Sequence, residues 1–234
     1  ASGSGTLTIS APNTSTDRTI TLPDETTTLS TVTTIGGLTD VSMDITNFVD
    51  GLLIQPNSDG SAPTTGTLSS AVNNIGIGKA VFTALTSGTE NVAIGAEALK
   101  AQTSGSSNTV VGNEAMETSS TAGNNVAIGC KALRVLTTAS YNTAVGSESL
   151  KANTTGAGNV AVGYRALTAN TDGNYNHAFG YDCLIGNTTG DGNTAAGYMA
   201  LENNTTADYN TAYGYDALFT NTTGSGNVAV GKAA

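Results

Sequence analysis

Few side chains in this sequence are of the types that carry out catalysis. His177 is the only histidine, and Cys130 and Cys183 are the only cysteines. The sequence contains no Ser-His-Asp arrangement, no glycine-rich phosphate loop and no Cys/His spacing typical of a metal site. We therefore predict that the chain is not an enzyme and that it holds no metal and no cofactor.

Carboxylates are the remaining candidates for chemistry, and their spacing argues against a catalytic pair. Acidic residues recur in register along the second part of the chain, at Glu97, Glu114, Glu148, Asp182 and Asp216. Glycoside hydrolysis requires two carboxylates in contrasting environments across one sugar bond. A repeat gives every copy the same environment, so we predict that these residues stack as a solvated stripe.

All of these residues lie in a 17-residue repeat. Taking Asn as position 1, copies begin without any insertion at Asn74, Asn91, Asn108, Asn125, Asn142, Asn159, Asn176, Asn193, Asn210 and Asn227. Nine copies are complete and the tenth stops at Ala234. A fixed period of this length, rich in Gly, Asn and β-branched residues, predicts a parallel β-solenoid with one copy per coil.

Each repeat position receives a structural role from its residue types. The Asn at position 1, including Asn91, Asn108, Asn125, Asn142 and Asn159, predicts an amide ladder along the solenoid. The Gly at position 5, including Gly95, Gly112, Gly129, Gly146 and Gly163, suits a positive φ or a corner without room for a Cβ. Position 9 is Leu, Met or Phe and is predicted to fill the interior, whereas Ala at position 3 indicates that this interior is narrow.

Positions 2 and 4 carry the prediction of an oligomer. They are mostly apolar or β-branched, and in a strand they face away from position 3. A strand buried on both faces needs a cover that a slim single solenoid does not provide. We predict a homotrimer about a central axis, with an interface that includes Val92, Ile94, Val126, Ile128, Val160, Val162, His177 and Phe179.

Tyrosines form the candidate ligand surface. Tyr164, Tyr181, Tyr198 and Tyr215 occupy position 6 of four consecutive copies, so they are predicted to form a ladder. Such a ladder either grips a glycan or only stabilises the sheet and seals the trimer interface. A Thr row at position 13 either orders water, as in an ice-binding protein, or makes ladder hydrogen bonds, and we favour the hydrogen bonds.

The histidine and the cysteines are predicted to be structural. Three copies of His177 would converge in a trimer and form an anion or metal site, but a packed neutral histidine fits the sequence better. Cys130 and Cys183 would lie about 14 Å apart along the solenoid at the spacing of strands in a sheet. Because a disulfide spans at most ~7 Å between Cα atoms, we predict two free thiols.

Composition and charge exclude several partners. Only 11% of the residues are charged, the net charge is −10, and residues 1–73 contain one basic residue, Arg18, against seven acidic ones. Nucleic-acid binding requires a basic stripe, and anionic membrane surfaces attract basic segments. No apolar run is long enough to span a membrane. We expect neither nucleic acid nor membrane insertion.

Several segments carry a resemblance to known families. The segments NVAIG, NTAVG and NVAVG, each followed by a small residue and Leu, resemble the head repeats of trimeric autotransporter adhesins of the YadA type. That resemblance covers residues 74–234 and implies a left-handed β-roll in an intertwined trimer. The longer form NTTGxGNTAxGYxAL resembles repeats of bacteriophage tail-fibre proteins. GTLTISAP at 5–12, RTITLP at 18–23 and GLLIQPN at 51–57 are similar to the shaft-like leader of tail fibres.

Together these patterns predict an all-β protein in three parts. Residues 1–56 form a β-structured shaft or attachment segment, residues 57–73 a linker or cap, and residues 74–234 the solenoid. The resemblance implies a structural fibre of a virus particle, a phage tail fibre or appendage, which contributes to host attachment. The expected partners are its own copies, tail or baseplate proteins through the N-terminal segment, and a host-surface glycan; the expected location is the virion exterior.

Alternative functions follow from the same features. The head of a bacterial trimeric adhesin is the first alternative, although the expected signal peptide and C-terminal anchor are missing from this sequence. An ice-binding solenoid and a polysaccharide depolymerase are further alternatives.

Overall fold

The computed structural model describes residues 6–9, 18–21, 41–42, 48–49, 52–54 and 70–234. Within these residues the regular elements are all β-strands. The chain divides into two compact units, residues 1–37 and 38–234. Residues 57–69, most of the predicted linker or cap, lie outside the described residues.

The described residues of the first unit form an antiparallel pair of strands. Strand β1 (Thr6–Ile9) pairs with β2 (Arg18–Thr21), with Thr6 opposite Thr21 and Ile9 opposite Arg18. Both strands fall in segments whose alternating pattern predicts strands. Their attachment or shaft role remains a prediction.

The second unit is built around a 12-stranded sheet. Its main part consists of ten short strands, each at positions 2–4 of a repeat: β7 (Ile75–Ile77), β8 (Val92–Ile94), β9 (Thr109–Val111), β10 (Val126–Ile128), β11 (Thr143–Val145), β12 (Val160–Val162), β13 (His177–Phe179), β14 (Thr194–Ala196), β15 (Thr211–Tyr213) and β16 (Val228–Val230). Each strand pairs in parallel with the equivalent strand of the next repeat, as in the pairs Val126–Thr143 and Ala127–Ala144. The prediction of a parallel β-solenoid with one repeat per coil is confirmed.

The sheet continues below the first repeat. Strand β5 (Leu52–Ile54) pairs in parallel with β7, and β3 (Val41–Ser42) pairs antiparallel with β5. A second small sheet joins β4 (Phe48–Val49) to β6 (Ala71–Val72) in parallel. The pairs β5–β7 and β4–β6 share one sequence offset, which is longer than the repeat. Strands β4 and β5 lie in the part of the sequence assigned to the attachment segment, and β6 lies in the part assigned to the linker or cap.

The interior of the solenoid is narrow and is filled by three repeat positions. Position 3, mostly Ala, and position 9, mostly Leu, are buried, as are the small residues at position 8. The largest fully buried side chains at position 9 are Phe82, Leu99, Met116, Leu133, Leu150, Leu167, Leu184 and Leu201. Position 12 adds a second large buried side chain in three of the earlier coils, at Leu85, Gln102 and Leu136, and the rest of the core is made of small residues.

The glycine at position 5 ends each strand at a corner. Its φ lies between 130° and 149° in all ten copies, a region that disfavours L-residues with a Cβ. A Cβ built on Gly146 would also lie within 3.0 Å of the carbonyl oxygen of Gly163 in the next coil. Both reasons anticipated for this glycine therefore apply at the same residue.

Three further positions in each coil adopt left-handed backbone conformations; positions 7 and 9 are never glycine, whereas position 17 is glycine in three copies, at Gly158, Gly192 and Gly226. Positions 7 and 9 do so throughout, for example Glu148 (φ 60°) and Leu150 (φ 48°), and position 17 does so in every complete copy. A left-handed conformation costs an L-residue roughly 1–2 kcal/mol. At position 9 the burial of a Leu side chain, about 1.5–3 kcal/mol, offsets that cost.

Candidate functional site

Asparagine side chains at position 1 form a continuous buried ladder. Each Oδ1 accepts the backbone N–H of the Asn in the next coil, as from Asn176 to Asn159 at 2.9 Å. From Asn74 to Asn193, each Nδ2 donates to the carbonyl at position 15 of its own coil, as from Asn159 to Gly173 at 2.8 Å. The row includes the predicted Asn91, Asn108, Asn125 and Asn142, all buried. These side chains are committed inside the protein and are not available to a ligand.

A second buried ladder runs along position 12 of the later copies. Asn170 donates to Oδ1 of Asn153 at 2.7 Å, and Asn187 donates to Oδ1 of Asn170 at 2.9 Å. The row continues through Asn204 and Asn221. Sequence analysis missed this ladder, although its signal, Asn at position 12 in five consecutive copies, is present in the sequence. Earlier copies place Leu85, Gln102, Ser119 and Leu136 there instead.

The outer sheet face, defined as positions 2 and 4 of the coils, is apolar and open to solvent in the single chain. Position 3 points inward and is buried, whereas positions 2 and 4 are exposed or half-buried. Ile94, Ile128, Val162 and Phe179 are 36–45% exposed. Val92, Val126 and Val160 are half-buried beside them. Because successive side chains along each strand point to opposite sides, position 3 forms the core face and positions 2 and 4 form the outer sheet face.

His177 lies on the outer sheet face and is exposed. The packed environment expected from sequence is therefore not provided by this chain alone. Among the described residues, no group of three or more His, Cys, Asp or Glu side chains is placed to hold a metal ion.

The tyrosine stack, defined as Tyr164, Tyr181, Tyr198 and Tyr215, lies at position 6, just beyond the corner glycine. Neighbouring ring centroids are 5.3, 5.3 and 4.9 Å apart; Tyr164 is tilted by 32° from Tyr181, and the later pairs are stacked at 12°. Arg165 lies 5.3 Å from the centroid of the Tyr164 ring, and Lys232 lies 5.5 Å from that of Tyr215. The rings cover one another's faces and present their edges and hydroxyls to solvent.

Positions 7 and 10 form a charged stripe in which carboxylates are paired with cations. Arg134 bridges Glu114 at 3.1 Å and Glu117 at 2.8 Å, and Lys100 contacts Glu97 at 3.0 Å. Hydrogen bonding from Lys100 lowers the pKa of the Glu97 carboxyl. The carboxylates in this part of the stripe are therefore ion-paired and do not form the predicted stack of solvated acids, because Lys100 and Arg134 at position 10 lie beside the acids at position 7.

The later end of the stripe contains more carboxylates than cations. Arg165 makes a two-point ion pair with the nearly buried Asp182, and this bond raises the pKa of the guanidinium. Glu202 has no cation partner among the described residues, and its Oε2, like Oδ1 of Asp216, is buried without a hydrogen bond. Burial first, then repulsion from Asp182 and Asp216, raises the pKa of the Glu202 carboxyl.

Threonine hydroxyls at position 13 bond along the solenoid. Each Oγ1 donates to the carbonyl at position 13 of the next coil, as from Thr154 to Thr171 at 3.1 Å and from Thr171 to Thr188 at 3.1 Å. The hydroxyl protons are therefore used within the sheet ladder, as favoured from sequence, and are not free to order water.

Both cysteines are free thiols. Cys130 is exposed at position 6, and Cys183 is buried at position 8, where its sulfur contacts the carbonyl of Ala195 at 3.3 Å. Burial raises the pKa of the Cys183 thiol to about 12. Since the thiolate is the reactive form, Cys183 is a space-filling residue.

A cavity of about 690 Å³ lies in the last coil, between Leu218, Phe219, Asn221 and Ala234. Leu218 and Asn221 belong to the interior rows at positions 9 and 12, so this cavity is the solenoid interior beyond strand β16. Within the described residues there is also no helix long and apolar enough to cross a membrane. The chemically distinctive surfaces are therefore the outer sheet face and the exposed tyrosines.

Comparison of the chain with protein-family models, with curated proteins and with solved structures finds no match.

Proposed function

We propose that this protein is a structural fibre of a virus particle, a phage tail fibre or appendage, that projects from the virion and contributes to host-surface attachment. The observation that carries the proposal is an uninterrupted solenoid whose outer sheet face is largely apolar from β7 to β16 and is left uncovered by the described residues of its own chain. An extended apolar face of this kind marks an association surface.

Three copies of the chain, packed through the outer sheet faces around a common axis, form the assembled fibre. Parallel association of identical solenoids brings the same row of each chain to the axis, so every coil contributes equally to the interface. Ile94, Ile128, Val162 and Phe179 become buried in that arrangement, and His177 meets its two symmetry copies. The N-terminal unit joins the fibre to tail or baseplate proteins.

Buried side-chain ladders suit a load-bearing role. The asparagine rows, the backbone ladder and the threonine row all tie consecutive coils together in one direction. Each is periodic, and catalysis needs one irreplaceable arrangement. The committed Thr hydroxyls also argue against an ice-binding surface. These features support a fibre over an ice binder or a depolymerase.

The first test is the mass of the full chain in solution, by light scattering on material that has not been heated or denatured. We expect three times the chain mass of 23.3 kDa. A single species at 23.3 kDa would contradict the trimer and leave the outer sheet face to be explained by another partner.

The second test concerns the particle and the host. Antibody raised against the solenoid should label appendages in electron micrographs of virus particles that carry the protein, and fluorescently labelled protein should bind host cells saturably. Labelling of the bacterial cell surface without any particle would instead favour the head of a trimeric adhesin.

A further inference from the structure

A second set of tyrosines, distinct from the tyrosine stack, lies at position 17. The tyrosine file, defined as Tyr141, Tyr175 and Tyr209, occupies every second coil. These side chains are 69–70% exposed, more than any member of the tyrosine stack. Burial of the ring therefore does not explain why Tyr occurs at these positions.

Glycines alternate with these tyrosines at position 17 and leave space for the rings. Position 17 reads Tyr141, Gly158, Tyr175, Gly192, Tyr209 and Gly226 in six consecutive coils. A Cβ built on Gly158 would lie 2.7 Å from Cδ1 and 2.9 Å from Cε1 of Tyr175, and Gly192 has the same relation to Tyr209. One side of the Tyr175 ring thus rests on Gly158 and one side of the Tyr209 ring on Gly192, where only glycine leaves room for the ring; the coil before Tyr141 carries Asn124 instead.

The backbone holds the rings in fixed places. Tyr141, Tyr175 and Tyr209 have φ values of 65°, 56° and 55°, in the left-handed region that Tyr rarely adopts. The backbone N–H of Tyr175 donates to Ala157 at 3.0 Å, and that of Tyr209 donates to Asp191 at 2.9 Å. The same conformation occurs at position 17 in copies without Tyr, such as Glu90 (φ 59°) and Ser107 (φ 60°), so it is a property of the coil that fixes where the rings begin.

The spacing of the file leaves the rings free for an external partner. Adjacent rings are two coils apart, roughly 9.5 Å at the usual strand spacing, so they do not cover one another as the rings of the tyrosine stack do. In an extended β-1,4-linked glycan, every second sugar turns the same face to the same side at a similar repeat. A row of single rings at this interval matches alternate sugars of such a chain.

Polar acceptors run beside the file at position 16. Oδ1 of Asp191 accepts the backbone N–H of Asn174 at 2.6 Å, and Oδ1 of Asp208 accepts that of Asp191 at 2.8 Å. The Oδ2 atoms of Asp191 and Asp208 make no hydrogen bond within the described part of the chain, which leaves them free to accept bonds from sugar hydroxyls. These carboxylates and the net charge of −10 disfavour an acidic polysaccharide.

We propose that the tyrosine file is the glycan-contacting surface and that it binds an extended, uncharged, β-1,4-linked polysaccharide along the solenoid axis, one ring per two sugars. The proposal rests on the proposed attachment function and narrows it in two ways. It assigns the glycan to the tyrosine file instead of the tyrosine stack, and it names the class of glycan.

The test is binding of chitohexaose and cellohexaose to the full chain by isothermal titration calorimetry, with the curved, α-linked maltohexaose for comparison. The double variant Tyr175→Asn/Tyr209→Asn removes two rings, and Asn already occupies position 17 as Asn124 with a φ of 57°. The matched control Tyr181→Asn/Tyr198→Asn alters the tyrosine stack, where Asn113 already occupies position 6. Circular dichroism and denaturation of each variant establish that it is folded.

We expect at least one β-linked hexasaccharide to bind, with affinity falling at least ~10-fold in the file variant and less than ~2-fold in the stack variant. The disaccharide should bind far more weakly than the tetrasaccharide, because only a chain longer than two sugars reaches two rings at once. Tyr175→Phe, which keeps the ring and removes the hydroxyl, should retain binding.

Three results would overturn the proposal. Loss of binding in the stack variant alone would assign the glycan to the tyrosine stack, and equal binding by both variants would assign it to neither. The proposal would also be overturned if the unaltered chain bound no β-linked hexasaccharide, even if the reason were that a neighbouring chain covers the tyrosine file. If the unaltered chain binds host cells but no β-linked glycan, the attachment function stands and only the glycan proposal fails. If it binds neither host cells nor glycan, the attachment function and the glycan proposal both fail.

Discussion

Each corner of the solenoid depends on the absence of a single methyl group. Gly146→Ala places a Cβ within 3.0 Å of the Gly163 carbonyl oxygen while φ is 139°. Backbone strain and overpacking together should lower the free energy of unfolding by about 3 kcal/mol or more. Chemical denaturation followed by circular dichroism measures this change.

Gly226→Ala is the control for the glycine substitution, since its φ is 73° but a Cβ there would meet nothing within 4 Å. We expect it to cost about 1 kcal/mol, the conformational strain alone. Equal losses in the two variants would show that the carbonyl contact between coils is unimportant.

Folding disfavours the charged form of the Glu202 carboxyl. Burial and the nearby Asp182 and Asp216 raise its pKa in the folded protein. Between the unfolded and the folded pKa, the folded protein binds more protons than the unfolded chain, so this residue's contribution to stability falls as the pH rises through that window, upward from about 4.5.

Glu202→Gln should therefore stabilise the protein at pH 7 by less than about 1 kcal/mol, since water screens this partly exposed side chain. The gain should disappear below the unfolded pKa, where Glu202 is already protonated in both states. Thermal unfolding of both proteins across pH 3.5–8 measures the difference. A gain that stays constant over the whole pH range would mean that lost charge repulsion is not its origin.

Among the elements, the two asparagine ladders differ in what they satisfy. Oδ1 of Asn159 accepts a backbone N–H from the next coil. Asn170 instead forms side-chain hydrogen bonds with Asn153 and Asn187. It also donates to the Gly173 carbonyl, which accepts a second hydrogen bond from Asn159. Leaving a buried N–H unsatisfied costs about 1–3 kcal/mol.

Asn159→Leu should thus destabilise the protein by about 3 kcal/mol or more, from the orphaned N–H together with overpacking at a narrow corner. Asn170→Leu should cost roughly half as much, because it orphans only side-chain groups and Leu already occupies position 12 at Leu85 and Leu136. Urea denaturation of the two variants gives the comparison. The reverse order would show that the position 12 ladder is the stronger connection between coils.

Sequence periodicity was sufficient to predict the coil, its length and its interior. Asn at position 1, Gly at position 5 and Leu at position 9 recur with no insertion, and each recurrence has one physical explanation. The left-handed conformation of Leu150 and its equivalents was not predictable, because burial at position 9 overrides a backbone preference that the residue type alone opposes. Residues 51–56 were assigned to a β-structured segment, but the pairing of strand β5 with the solenoid sheet was missed because its offset is longer than the repeat and so falls outside the period.

The candidate surfaces were predicted less completely. Equal spacing was enough to place Tyr164, Tyr181, Tyr198 and Tyr215 in one row, but whether stacked rings keep their faces free depends on side-chain orientation, which spacing does not determine. Pairing in the charged stripe required knowing that positions 7 and 10 of neighbouring coils adjoin. The alternation of Tyr and Gly at position 17 was visible, but its cause lies in contacts between coils.

In the second unit as a whole, the hydrogen bonds are made within one chain, whereas an apolar surface remains available for contact with another chain. Backbone groups at the strands pair with the coils on either side, and the buried amides pair with each other. The interior contains only one or two large apolar side chains per coil, so the apolar area buried by a single chain is small for its length. Covering the outer sheet face would add a second apolar layer along the strands from β7 to β16.

Ile128→Lys tests that cover directly. Ile128 is 40% exposed in the single chain, so a lysine there keeps its ammonium in water and should leave the solenoid folded. In the proposed trimer, three ammonium groups would be brought together in an apolar interface without counter-ions, which is strongly unfavourable. We expect the mass in solution to fall from three times 23.3 kDa to 23.3 kDa with the β-sheet circular dichroism spectrum retained. Thr138→Lys adds the same charge at an exposed residue of the same copy and should remain trimeric. An Ile128→Lys protein that stays trimeric would show that the chains associate through a surface other than the outer sheet face.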